Sequence, residues 1–246
     1  MSQPDPAYDR EEITRRKRGV QAMFNAIARR YDLLNHVLSA GVDVYWRRRA
    51  LSLVRLPRPR RVLDLATGTG DFAAAAGRLE PERVVGVDVA LEMLRRGKGK
   101  VAGLPVPTRL LAGDGEQLPF RDGCFDLVTA AFGVRNFGHI PTGLAEAFRV
   151  LTPGGELVVL DFAEPRLPVF APLYRFYFRR VLPRLGGLIS GQRRAYAYLP
   201  ASVGTFPQGR AFLDLLERAG FSQTRATSLS LGIAAVYQGL RPGAGR

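Results

Sequence analysis

From residue 60 onward the chain alternates between short apolar runs and helix-length stretches. RRVLDLA (60–66), RVVGVDVA (83–90), PTRLLAGD (107–114), FDLVTAAF (125–132) and GELVVLDFA (155–163) read as strands. DFAAAAGRL (71–79), a segment from about Leu91 and TGLAEAFRVL (142–151) read as the helices between them. A last helix, QGRAFLDLLERAG (208–220), precedes two further strands, QTRATSLS (223–230) and IAAVYQGL (233–240). Strands that alternate with helices predict an α/β fold: a seven-stranded, mostly parallel sheet with helices on both faces. The 246 residues, 46% of them hydrophobic, suffice for one such domain with a full core.

The whole chain, 1–246, is therefore read as one domain with attachments. Residues 1–8 are expected to be disordered, and 9–56 to form an N-terminal helical lobe. In that lobe VQAMFNAIARRY sets Val20, Phe24, Ile27 and Tyr31 on one face of a helix from Asp9 to about Arg30. Short helices at Asp32–Leu38 and Val44–Val54 follow, until LPRPR (56–60) breaks the pattern. The sheet core spans 57–165, a helical insertion or substrate lid 166–206, and the closing helix and strands 207–246.

One cysteine, Cys124, leaves no intrachain disulfide, and two distant histidines, His36 and His139, make a metal site unexpected. No apolar run approaches the roughly 20 residues of a membrane span, and the polar N-terminus is unlike a secretory signal. These features predict a cytoplasmic protein. The net charge of +14 suits nucleic acid, an anionic membrane or an acidic substrate, but nearly all of it is arginine. Lysine occurs only at 17, 98 and 100, a pattern that coding bias also produces, so charge alone assigns no partner.

The segment DLATGTGDFA (64–73) is a strand end, a glycine turn and a helix start. In open α/β sheets such turns hold ligands at the carboxyl ends of strands. Gly68 and Gly70 let the backbone turn and approach a ligand. Asp88, 20 residues beyond Gly68, is placed to accept both hydroxyls of a ribose. Loop and acid together point to an adenosine-type ligand, either a dinucleotide or S-adenosylmethionine (AdoMet). No G-K-[ST] is present, which argues against phosphoryl transfer, and no Ser or Cys sits in a nucleophile elbow.

Two later segments favour AdoMet. AGDGEQLPF (112–120) and LTPGGELVVLDF (151–162) follow the glycine loop and the ribose acid in order, and the ordered set resembles the class I AdoMet-dependent methyltransferases, with their Rossmann-like sheet. That resemblance implies cofactor contacts from Asp64, Gly68, Thr69, Gly70, Asp88, Val89, Asp114, Gly115 and Ala131. Asp114 and its neighbour would face the adenine. Asp64 would support the loop or meet the amino group of the methionine moiety. No metal is implied.

FNAIARRYDLLNHVLSAGVDVYWRR (24–48) and FGVRN (132–136) resemble the UbiE/MenG family, C-methyltransferases of menaquinone and ubiquinone biosynthesis. That family reads Y-D-x-M-N, a serine, then a tryptophan followed by basic residues; here these are Tyr31, Asp32, Asn35, Ser39, Trp46 and Arg47. RVLTPGGELVVLDF and AYAYLPASVGTFP (195–207) follow it too, so the resemblance runs from about Val20 to Leu240. The chain departs from the pattern at Leu34 (usually Met), Asp43 (often His), Asp114-Gly115 (Asn-Ala), Ala131 (Ser) and Asp161 (Glu).

The resemblance implies methylation of a ring carbon of a prenylated quinol, most often a naphthoquinol, demethylmenaquinol; a benzoquinol precursor of ubiquinone is the alternative. It points to Arg135 as electrostatic activator at a strand end facing the site, with Asn136 and Tyr31 as further donors. The quinol's tail implies peripheral membrane work, and PVFAPLYRFYFRRVLPRLGGL (168–188) is a basic, aromatic candidate for it. A homodimer is open. An RNA methyltransferase and a non-enzymatic AdoMet-binding scaffold are the competing classes; no appended RNA-binding domain is visible, so nucleic acid is not the expected partner.

Overall fold

The computed structural model describes residues 10–29, 31–33, 39, 41–165, 172, 176, 180 and 193–243; for 193–197 it describes the backbone alone. Seven strands among these form one sheet in the order β3-β2-β1-β4-β5-β7-β6. They are β1 (Arg61–Leu65), β2 (Arg83–Asp88), β3 (Thr108–Ala112), β4 (Phe125–Ala131), β5 (Leu151–Phe162), β6 (Ser222–Leu229) and β7 (Ala234–Leu240). The first five run parallel, while β7 is antiparallel to both β5 and β6. The helices are α1 (Arg10–Ile27), α2 (Val42–Ser52), α3 (Asp71–Ala76), α4 (Leu91–Val101), α5 (Ile140–Val150), α6 (Arg193–Thr205) and α7 (Arg210–Arg218).

The central strands β1, β4 and β5 are buried along almost their whole length, as strands covered on both faces must be. The edge strands β3 and β6 expose alternate residues instead. One core face gathers Leu63, Leu65, Val128, Leu157 and Tyr237 under α5 and α7. The other gathers Val62, Phe72, Leu127, Val158 and Val236 with Trp46, Ala50 and Leu51 of α2.

β5 starts earlier than the sequence reading, at Leu151 rather than Gly155. Pro153-Gly154-Gly155 still turns, with Gly154 at φ 81°. The ladder continues around it: Phe125 pairs with Leu151 and Leu127 already with Glu156, so the turn bulges out of a continuous strand. The N-terminal helix is shorter than expected, ending at Ile27 in a turn, and 31–33 are helical. The rest of the expected Asp32–Leu38 helix lies outside the described residues, as do Asn35 and His36. Of 168–188 only Pro172, Phe176 and Arg180 are described, all exposed. α1 packs against α4 and α6 through Ile27, Ala28, Met93 and Val203, which stretches it across the carboxyl ends of the strands.

Candidate active site

The loops after β1, β2, β3 and β4 surround a pocket of about 500 Å³, and α1 forms its outer wall. That volume is in the range of small-molecule sites. Its lining includes Gly68, Asp88, Val89, Asp114, Gly115, Ala131, Asn136 and Tyr31, so eight residues singled out in the sequence meet in one cavity. Seven of them stand at, or just beyond, the end of a parallel strand, and Tyr31 enters from the N-terminal lobe.

The turn after β1 is built for close approach. Gly68 (φ 57°) lies beside the cavity, and a Cβ there would meet nothing nearer than Tyr31 Cε1 at 4.0 Å. Its N–H donates to Asp88 Oδ2 (2.8 Å), and the N–H of Ala90 donates to Asp88 Oδ1 (2.8 Å). Each carboxylate oxygen keeps a further lone pair for a ligand hydroxyl. Burial raises the pKa of Asp88, against the pull of the backbone N–H groups of Ala90, Gly68 and Val89.

Asp64, Thr69 and Gly70 stand behind the turn and do not line the cavity. Asp64 is fully buried in β1. Its oxygens accept from the hydroxyls of Thr67 (2.6 Å) and Thr129 (2.8 Å), the latter on its register partner in β4. The bond from Thr67 ties Asp64 to the turn that follows β1. Burial pushes its carboxyl up to about 7. Thr69 Oγ1 donates to Asp32 Oδ1 (2.6 Å), and Lys100 Nζ bridges Asp32 (2.6 Å), Asp71 (2.6 Å) and Thr69 (2.9 Å). Thr69 thus anchors the residue beside Tyr31. Gly70 precedes α3 at φ 82°, against Val101 and Leu110.

The turn after β4 carries a correction to the sequence reading. The sequence places Arg135 facing the site, yet its guanidinium turns away behind the pocket wall. Nη1 pairs with Asp161 Oδ1 (2.6 Å) and donates to the carbonyl of Phe132, while the cation lies 5.2 Å from the Phe162 ring centroid. A buried carboxylate at the end of β5 attracts the charge more strongly than an open cavity does. Phe132 and Ala66 take positive φ (58° and 49°) at the ends of β4 and β1, strain of the kind that collects at binding sites. Phe132 in that conformation aims its carbonyl at both Arg135 and Asn136 Nδ2 (3.3 Å). Asn136 Oδ1, Arg135 Nε and the Tyr198 hydroxyl are buried without a partner among the described residues. α6, which carries Tyr198, packs on the 134–136 turn.

Sequence reasoning missed the contribution of α1. Thr14, Lys17, Arg18, Gln21 and Phe24 join the wall. Lys17 Nζ reaches Asp114 Oδ2 (2.8 Å) and Glu116 Oε2 (3.1 Å). Burial alone would lower the Lys17 pKa, but the bonds to Asp114 and Glu116 outweigh it and hold it above its ordinary value. Glu116 in turn accepts from the N–H groups of Gly138 (2.7 Å) and His139 (3.0 Å).

A diol acceptor at Asp88, an open glycine turn and a further acid at Asp114 fit the adenosyl end of AdoMet. Asn136 Oδ1 leaves an acceptor for what lies beside it. Fold and pocket together define a class I AdoMet-dependent methyltransferase. A SAM-dependent methyltransferase of Thermotoga maritima, a possible histamine N-methyltransferase, shares the fold with a TM-score of 0.65 at 18% identity, over 90% of this chain and 99% of that one. Residues 11–241 match the ubiE/COQ5 methyltransferase family, and the chain belongs to that family. It is 50% identical over 221 residues to the demethylmenaquinone methyltransferase of Thermus thermophilus, covering 89% of this chain and 100% of that protein. It is 46% identical over 235 residues to the demethylmenaquinone methyltransferase of Deinococcus radiodurans, covering 95% and 96%. It is also 46% identical over 231 residues to the ubiquinone/menaquinone biosynthesis C-methyltransferase UbiE of Geobacter sulfurreducens, covering 92% and 90%.

Proposed function

We propose that this enzyme methylates a ring carbon of a prenylated quinol, with demethylmenaquinol as its acceptor. The observation that carries the reading is Asn136 Oδ1, a buried acceptor in the pocket wall without a partner among the described residues. Buried polar groups are nearly always satisfied, so an orphan in a cofactor pocket marks where a substrate hydrogen belongs. The full-length likeness to demethylmenaquinone methyltransferases supports a quinol hydroxyl as that donor.

AdoMet, when bound, supplies a methyl carbon activated by the sulfonium. Asp88 holds the ribose, Asp114 the adenine side, and the Gly68 turn lets the cofactor lie close to the backbone. Asn136 accepts the phenolic O–H and orients the ring, so that electron density develops on the carbon beside that oxygen. Arg135 acts at one remove. It fixes the Phe132 carbonyl and the turn, and its charge, shared with Asp161, lies behind the developing oxyanion. Tyr31 borders the same cavity. Net transfer replaces one ring hydrogen by methyl and releases one proton.

The quinol's tail places the reaction at a membrane surface. The exposed Phe176 and the net charge of +14 support contact with an anionic bilayer, and no described helix is long and apolar enough to cross one. Co-sedimentation with anionic but not neutral vesicles is the expected behaviour. The function is tested by methyl transfer from labelled AdoMet, with reduced demethylmenaquinone in detergent and total tRNA in a parallel tube. Label in the quinone alone supports the proposal; label in the tRNA alone overturns it.

A further inference from the structure

α1 touches the loops after β2, β3 and β4, three of the four that border the pocket. After β2, the carbonyl of Val89 accepts from Gln21 Nε2 (2.7 Å) and the N–H of Glu92 donates to Asn25 Oδ1 (3.0 Å). After β3, Asp114 and Glu116 share Lys17. After β4, the carbonyl of Arg135 accepts from Arg16 Nη2 (3.4 Å). Gly138 lies so close beneath the helix that a Cβ would come within 2.7 Å of Ile13 and 2.9 Å of Lys17. A ligand seated between α1 and these loops is covered by the helix.

The ties are polar and reversible. The Lys17 ammonium and the Asp114 carboxylate each remain about a third exposed (31% and 35%), so water competes for the contact. Pairs of this kind are worth little individually and are screened by salt. The chain has 36 basic side chains and only three lysines, yet a lysine holds this bridge. Asp114 serves two partners: Oδ2 takes Lys17 and Oδ1 takes the N–H of Glu116 (2.9 Å). The latch therefore sits on the acid that faces the cofactor.

We propose that α1 is a lid that opens and closes each time AdoMet is exchanged for its demethylated product, and that Lys17, bridging Asp114 and Glu116, is its latch. A latch present with and without ligand resists both entry and exit. Its loss speeds both and changes the equilibrium affinity little. A side chain that only touched the ligand would change the exit rate alone.

The test is stopped-flow binding and release of AdoMet and S-adenosylhomocysteine by the native chain and Lys17→Met, with no quinone present. Lys17→Met is expected to raise the on-rate and the off-rate together by roughly fivefold, the factor that corresponds to about 1 kcal/mol. The native off-rate is expected to climb with salt, and that of the variant to stay flat. Amide hydrogens of α1 in the free protein are expected to exchange faster in the variant. Gln21→Ala, which cuts the tie to Val89, is expected to shift both rates the same way and carries the test should Lys17→Met fail to fold. Rates unchanged in the variants, or an off-rate that rises alone, overturn the proposal. Because no acceptor is used, its failure is separable from that of the quinol reading.

Discussion

Asp64 is a carboxyl on a central strand with no exposure at all, and its replacement by asparagine has a calculable signature. Burial raises its pKa most; the hydroxyls of Thr67 and Thr129 and the charge of Arg47 pull it down, and Asp88 pushes it up. The result is a pKa of about 7 in the fold against an ordinary 3.8. Between those values the folded chain holds a proton that the unfolded chain has lost. Stability from this group is therefore fully present below 3.8 and is lost as pH rises through about 7. The whole window is worth ~4 kcal/mol, and the part above about pH 5 roughly 3 kcal/mol. The amide that Asp64→Asn introduces does not titrate, and the threonine hydroxyls can turn to serve it. Urea unfolding of both proteins from about pH 5 to about pH 8 should show Asp64→Asn gaining roughly 3 kcal/mol on the native chain. Parallel curves would mean that Asp64 is ionised in the fold, and that the loop rests on a buried charge rather than a neutral acid.

On the proposed reading Asp88→Ala removes the acceptor for both ribose hydroxyls, at roughly 1.5–3 kcal/mol for each bond to a charged group, so AdoMet affinity by calorimetry should fall by about 100-fold or more; an unchanged affinity would remove Asp88 from the cofactor site. Asp161→Ala strands the buried Arg135 guanidinium and should cost about 3–5 kcal/mol in chemical unfolding. A loss under about 1 kcal/mol would mean that water or the Phe132 carbonyl suffices for that charge.

The pocket's inner wall is legible in the sequence because an open parallel sheet assigns ligand contact to strand ends. Gly68, Asp88 and Asp114 each terminate or follow a strand that its own apolar run reveals. What lies behind the wall is less legible. Asp64, Thr69 and Gly70 belong to the same motif as Gly68, yet their side chains and Cβ direction point into packing, which a pattern of residue types does not distinguish. Arg135 reads as facing the site, because Asp161 lies 26 residues away and nothing local announces their pairing. α1 shows the same limit. Its apolar stripe at Val20 and Ile27 is visible from periodicity and is indeed buried. Its polar flank of Thr14, Lys17 and Gln21 carries no such pattern, since Asp114, which receives Lys17, is 97 residues distant. A lysine in a chain that otherwise uses arginine is the available signal.

A ring carbon, not an oxygen, receives the methyl group. The most direct measurement is to react reduced demethylmenaquinone with methyl-labelled AdoMet, reoxidise the product in air and locate the label. Carbon methylation predicts a product that returns to the quinone with the label retained on the ring. A labelled ether that resists reoxidation would overturn carbon methylation and make the enzyme an O-methyltransferase.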